Sequence, residues 1–312
     1  MTDVPAIEFL QVTKRYGSLR ALDGASLRVP SGMIFGFLGP NGAGKTTALR
    51  IAMGMIRCSD GTARVLGMDP WTARDRLHAR VGYAPSGMGF YERMSGRDLL
   101  EYAVALRGGR RGTGAPLLDR TIDALALSRA VLERPISTYS KGMRQKLAIA
   151  QALQHDPELV LLDEPSEGLD PLVQHAMYEL LRERRDAGRT VFFSSHTLSE
   201  VQALCERVAI VRAGSIVADA TYEELAAHHP RVVRLVGLDD PDACAVQLGA
   251  GWRRVDQEGD TTTFHTTEPP AQIVQALGDV RFDDVTIEPP SLEDVFLEFY
   301  EAGVDSGPGA TA

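Results

Sequence analysis

Residues 33–47 read Met33-Ile-Phe-Gly-Phe-Leu38-Gly39-Pro40-Asn41-Gly42-Ala43-Gly44-Lys45-Thr46-Thr47. Met33–Leu38 is a short apolar run that ends in glycine, which suits a strand buried on both faces of a parallel sheet. Gly39 to Thr46 fit the pattern G-x-x-x-x-G-K-S/T in full, and Lys45–Met55 has helical periodicity. A strand, a glycine-rich turn and a helix in that order form a phosphate cradle. The turn can wrap a phosphate chain with its N–H groups, and the helix N-terminus adds a favourable dipole. Lys45 is placed to reach β- and γ-phosphates and the Thr46 hydroxyl to bind Mg²⁺. Thr47 and the neighbouring backbone amides are expected to hold the other phosphate oxygens.

The same buried-strand texture returns downstream in Leu159–Leu162, Val191–Phe193 and Val208–Val211, while Ile7–Thr13 and Ala25–Val29 alternate like strands. Helical segments at Leu172–Asp186 and Ser199–Arg207 separate them. The alternation predicts an α/β fold with a mixed, mainly parallel sheet flanked by helices, that of a P-loop NTPase. Leu159–Leu162 runs straight into Asp163-Glu164-Pro165. Acids at the end of an apolar strand are costly unless paired or used, and the C-terminal strand ends of such a sheet line its ligand crevice. Asp163 can reach the Mg²⁺ through water. Glu164 can polarise a water that attacks the γ-phosphate, as a general base.

Two regions depart from this pattern. Between Met94 and Ala152 helical periodicity dominates, in Arg97–Leu106, Leu117–Leu127 and Met143–Leu153, with a Gly/Arg loop at Gly108–Pro116. This predicts an all-helical insertion over about residues 88–155 within a first domain of residues 5–228. Beyond Leu225, strand-like pieces (Val232–Val236, Thr261–His265, Val285–Glu288) alternate with helical ones (Pro241–Leu248, Pro270–Leu277). They predict a small C-terminal α+β domain over 229–303, with residues 304–312 as a disordered tail.

Composition excludes several function classes. The chain has 312 residues, 44% apolar and 24% charged, and a net charge of −9, so no nucleic-acid partner is expected. Its densest basic stretch, Arg107-Gly-Gly-Arg-Arg111, reads as a solvated loop. Cys58, Cys205 and Cys244 are scattered without metal-ligand spacing, and free thiols suit a reducing compartment. The first residues, MTDVPAIEFL, do not read as a signal peptide, and no apolar run of about 18 residues occurs. If the protein acts at a membrane, a partner must hold it there.

Six elements in order, at Tyr16, Lys45, Ser140, Asp163–Glu164, Asp170 and His196, resemble the ABC (ATP-binding cassette) family over residues 5–225. Tyr139-Ser140-Lys141-Gly142-Met143-Arg144-Gln145-Lys146 is similar to the signature segment, with Tyr139, Lys141 and Met143 standing for Leu, Gly and Gln. Pro165-Ser-Glu-Gly168-Leu169-Asp170 resembles the D-loop, Phe192-Phe-Ser-Ser-His196 the H-loop and Lys14-Arg15-Tyr16-Gly17 the A-loop. Val81-Gly-Tyr-Ala-Pro85 resembles the strand before the Q-loop, but Ser86 stands where the family usually has Gln.

The resemblance implies an ATPase with ATP and Mg²⁺ as ligands. Tyr16 would stack on adenine and His196 would bond the γ-phosphate. Ser140 and Gly142 would contact a nucleotide held by a second subunit, and Asp170 would sit at the dimer seam. It also implies a homodimer or heterodimer of ATP-binding subunits on the cytoplasmic face of the membrane, held there by a separate polytopic permease. The ending Glu288-Pro-Pro-Ser-Leu-Glu-Asp-Val-Phe-Leu-Glu-Phe-Tyr300 is similar to that of ABC-2-type exporters, which points to export of a drug-like or other small compound. An importer ATPase and a non-transport ABC ATPase are the alternatives. The implied Mg²⁺ ligands are Thr46, Asp163 and, through water, Ser86.

Overall fold

A computed structural model describes residues 4–87, 91–107, 117–221, 224–225 and 230–289. The expected loop at Gly108–Pro116, residues 290–300 of the exporter-like ending, the boundary at 228 and the tail at 304–312 lie outside these. The chain divides into two compact units, Met1–Asp219 and Ala220–Ala312.

In the first unit, a six-stranded sheet has the order β5-β6-β7-β3-β8-β9. These strands are β3 (Ile34–Leu38), β5 (Val81–Ala84), β6 (Leu159–Asp163), β7 (Thr190–Ser195), β8 (Arg207–Arg212) and β9 (Ser215–Thr221). β5 through β8 are mutually parallel. β3, β5, β6 and β7 are buried along their whole lengths, as a covered parallel sheet demands. Phe35 and Phe192, on adjacent strands, stack with ring centroids 5.9 Å apart.

A separate antiparallel sheet joins β1 (Ile7–Tyr16) to β2 (Leu19–Val29) on one side and β4 (Asp60–Val65) on the other. Ile7, Phe9, Val12, Leu22 and Val29 bury one face of it in a core shared with Phe35 and Phe37. A second core lies with the helical segment, where Leu147 and Leu153 of α6 (Lys141–Leu153) meet Leu100, Ile122 and Leu132. Among the described residues of 91–155, helices Gly96–Leu106, Leu118–Ala124, Arg129–Leu132 and α6 occur without a strand.

One helix is shorter than its periodicity suggests. The segment expected to be helical to Arg207 ends at Leu204. Glu206 N–H donates to Ile34 O, and Arg207 pairs beside Phe35, so the sheet captures the chain before another turn can form.

The second unit runs β10 (Arg231–Val236), helix Pro241–Leu248, β11 (Trp252–Glu258), β12 (Thr261–Thr266), helix Pro270–Ala276 and β13 (Asp284–Glu288). Its antiparallel sheet has the order β11-β12-β10-β13, a split βαβ arrangement. Val233, Leu235, Trp252, Phe264 and Ile273 form its own core.

Candidate active site

Three neighbouring strands end together at the site. Their register sets Asp163 beside Ser194 and Leu38 beside Ser195. The turn after β3, the acids ending β6 and the histidine after β7 therefore converge at one edge. The turn hugs the sheet closely. A Cβ on Gly39 would lie 2.4 Å from Val211 O, and one on Gly44 2.4 Å from Ala21 O. Gly44 also adopts φ 109°, which only glycine takes without strain, and it caps helix α1 (Lys45–Ala52).

Lys45 lies inside this turn, its side chain only 5% exposed. Its ammonium donates to Gly39 O at 2.6 Å and Pro40 O at 3.1 Å, and sits 3.0 Å from Glu164 Oε1. A cation so buried needs such partners, because an uncompensated one is costly. The other oxygen of Glu164, Oε2, meets His196 Nδ1. Glu164 itself has φ 52°, in the left-handed region, and its N–H donates to the carbonyl and the hydroxyl of Ser194, each at 3.2 Å. Those contacts hold a conformation that costs a non-glycine residue about 1–2 kcal/mol.

Asp163 is fully buried. Thr46 Oγ1 donates to its Oδ2 at 2.8 Å and Ser194 Oγ to its Oδ1 at 2.7 Å. Burial first, and the Asp163 charge second, push the nearby Tyr83 phenol above its ordinary range. The Thr46–Asp163 pair offers hard oxygen donors of the kind Mg²⁺ takes, since that ion uses one or two carboxylates together with phosphate and water.

A cleft of about 610 Å³ opens over these groups. Of the expected residues, Tyr16, Pro40, Asn41, Gly42, Gly44, Lys45, Thr46, Thr47, Ser86, Glu164 and His196 line it. Gly39, Ala43 and Asp163 do not line it. Tyr16, at the end of β1, is 45% exposed, with Lys14 Nζ 5.1 Å from its ring centroid. Sequence reasoning missed Arg20 and Glu167, which also line the cleft, and Ser194 beneath it. The adjacency of Ser194 to His196 was the available signal.

Three expected residues lie elsewhere. Ser140 caps α6, its hydroxyl accepting from Met143 N–H at 3.2 Å. Asp170 caps α7 (Pro171–Asp186), with Oδ1 accepting from Val173 N–H at 3.0 Å. A Cβ on Gly142 would lie 2.5 Å from Gly168 O, so the start of α6 packs directly on the segment after Glu164. None of the three lines the cleft of its own chain.

Comparison with known proteins agrees with this geometry. A family model described as ABC transporter matches residues 22–167. An uncharacterised ABC transporter ATP-binding protein of Nostoc is 42% identical, over 66% of this chain and 61% of its own length. The daunorubicin/doxorubicin resistance ATP-binding protein DrrA of Streptomyces peucetius is 32% identical over 94% of this chain and 91% of its own. The Nod factor export ATP-binding protein I of Rhizobium meliloti is 34% identical over 94% and 87%. Among solved structures, the ATP-binding subunit of an ABC transporter superposes with a TM-score of 0.63 at 25% identity, covering 70% of this chain and 91% of that one. A dimeric ATP-binding cassette in a post-hydrolysis state with ADP and Pi gives 0.62 at 20% identity, covering 69% and 98%, and supports the fold. With full-length relatives above 30% identity and a phosphate cradle built as described, the chain belongs to the ABC transporter family, as an ATP-hydrolysing ATP-binding protein.

Proposed function

We propose that this protein is the ATPase subunit of an ABC exporter and that two copies, or one copy and a similar subunit, enclose ATP between them. The observation that carries this is the separation within one chain. Tyr16, Lys45, Thr46, Glu164 and His196 share a cleft, whereas Ser140, Gly142 and Asp170 stand outside it. A second chain facing the cleft would complete it with its own Ser140 and Gly142.

In this reading Tyr16 stacks on adenine, while the backbone of Gly39–Gly44, with Thr47, cradles the phosphates. Lys45 exchanges Glu164 for the β- and γ-phosphates. Thr46 and, through water, Asp163 would hold Mg²⁺, which would supply charge neutralisation for the phosphates. Ser86, short for its position, reaches that water shell only through another water. Released from Lys45, Glu164 accepts the proton of the attacking water. His196 donates to the γ-phosphate and keeps Glu164 oriented. The Ser140 hydroxyl and backbone N–H groups from the second chain stabilise charge on the transferring group.

No helix among the described residues is long and apolar enough to cross a membrane. In this reading, coupling to transport falls to a separate permease, with this subunit bound to its cytoplasmic face. Relatives are named for daunorubicin/doxorubicin resistance, bacitracin transport and Nod factor export. That range supports export of a small compound chosen by the permease. The small C-terminal domain is proposed to be accessory, extending from about residue 229 to 303.

The test is co-expression with any membrane protein encoded beside it. Both should co-purify in detergent, and ATP should drive compound into inverted vesicles only when Lys45 and Glu164 are intact. A chain that hydrolyses ATP but binds no membrane protein would overturn the transport reading and leave the ATPase standing.

A further inference from the structure

A neighbouring cleft of about 420 Å³ adjoins the nucleotide cleft, and Ser86 and Glu167 line both. Lys141 lines only the second. Its ammonium nevertheless pairs with Glu167 Oε1, and its stem lies along the loop after Glu164. Lys141 Cγ is 3.4 Å from where a Cβ on Gly168 would stand. A cation at the start of α6 is thus clipped to a carboxylate that faces the phosphate site.

Stability gives little reason for this pair. Its side chains are 68% and 46% exposed, and pairs so exposed contribute little to folding. Charge gives a better one. A carboxylate on the wall of a site that takes a polyanion repels it, over a range of about 8 Å at physiological salt. A partner cation cancels that repulsion.

We propose that Lys141 tunes the affinity of the cleft for phosphate by neutralising Glu167, as a positioning residue of the nucleotide site that it does not itself line. The proposal rests on the nucleotide reading above. It makes a prediction that packing alone does not, because the effect must scale with the charge of the ligand.

The test is binding of a non-hydrolysable ATP analogue, ADP and adenosine to the full-length chain with Mg²⁺. Lys141→Met keeps the stem and removes the charge. It should weaken the ATP analogue by about three- to tenfold at low salt, ADP less and adenosine not at all. Roughly 0.5 M salt should shrink the difference. Adding Glu167→Gln to Lys141→Met should restore binding. Glu167→Gln alone, which leaves the Lys141 charge unopposed, should tighten the ATP analogue and gives a second reading if Lys141→Met folds poorly. Equal weakening of all three ligands, no change in any, or failure of Glu167→Gln to restore binding would overturn the proposal. A wild-type chain that binds no ATP analogue would instead overturn the nucleotide reading.

Discussion

The Glu164 carboxylate lies 3.0 Å from the Lys45 ammonium, so the residue suited to activate water and the residue suited to hold phosphate are each other's counter-charge. In the proposed reading, an arriving triphosphate parts them. That exchange frees the base only when there is phosphate for it to act beside.

Glu164→Gln is expected to cut steady-state hydrolysis by at least about 100-fold, the lower range for loss of a general base. ATP binding should be unchanged or tighter, because the carboxylate that competes with phosphate for Lys45 is gone. Phosphate release and nucleotide binding measure the two effects separately, and size exclusion with ATP should show a stable dimer. Hydrolysis at the normal rate would remove Glu164 from the mechanism.

Ser194→Ala takes from the buried Asp163 one of its two hydroxyl donors. Leaving a buried acceptor short of a partner costs about 1–3 kcal/mol, which urea unfolding would register. The Mg²⁺ concentration for half-maximal ATPase should also rise, since Asp163 is left held by Thr46 alone among these hydroxyls. An unchanged Mg²⁺ dependence would separate Asp163 from the metal.

Gly142→Ala directs a Cβ to within 2.5 Å of Gly168 O. Backbone cannot yield as a flexible side chain does, so the start of α6 must shift away from the segment after Glu164. The expected outcome is a folded protein, by melting temperature within a few degrees of wild type, that binds ATP but hydrolyses it at least about tenfold more slowly. Normal turnover would show that this packing is not needed.

The strands that carry the site were legible because parallel strands buried on both faces leave unbroken apolar runs, as in Leu159–Leu162. β4 and β11 were not. Asp60–Val65 contains Asp and Gly and is mostly exposed, and Trp252–Glu258 buries only Trp252. Such strands are defined by their partners rather than by their own composition. The site shows the same divide. Lys45, Asp163 and Glu164 follow from local pattern and strand ends. The pairing of Glu167 with Lys141 joins residues 26 apart in sequence, where the start of α6 packs on Gly168.

Acid should destabilise the protein in two windows. His155, just after α6, is pushed down to about 4 by burial first and the nearby Arg107 charge second. The folded state thus binds fewer protons there than the unfolded state, whose histidine titrates near its ordinary 6.5. Stability must therefore fall as pH drops from about 6.5 toward 4. Asp156 and Glu158, held low by hydrogen bonds from Arg189 and Arg80, add a loss at lower pH as they protonate. His155→Gln should flatten the slope between pH 6.5 and 4.5 and leave the lower window intact. Urea midpoints across that range provide the measurement, and parallel curves for both proteins would refute the assignment.

Ser86 follows β5 and lines the nucleotide cleft with Lys45 and Glu164, where its hydroxyl is short of the reach a longer amide would have. If the water shell of a Thr46- and Asp163-bound Mg²⁺ lies on that side, a carboxamide there should hold it directly instead of through a second water. Ser86→Gln is therefore expected to lower the Mg²⁺ concentration for half-maximal ATPase several-fold, with a smaller change in maximal rate. The same substitution places a bulkier group at the junction with the second cleft, which α6 lines through Arg144 and Gln145. The pair of readouts distinguishes the two consequences. A shift in Mg²⁺ dependence alone marks Ser86 as a metal-shell residue, whereas a changed maximal rate at saturating Mg²⁺ marks it as a joint between the cleft and the helical insertion. Identical titrations for wild type and variant would show that the site closes around its metal without this position.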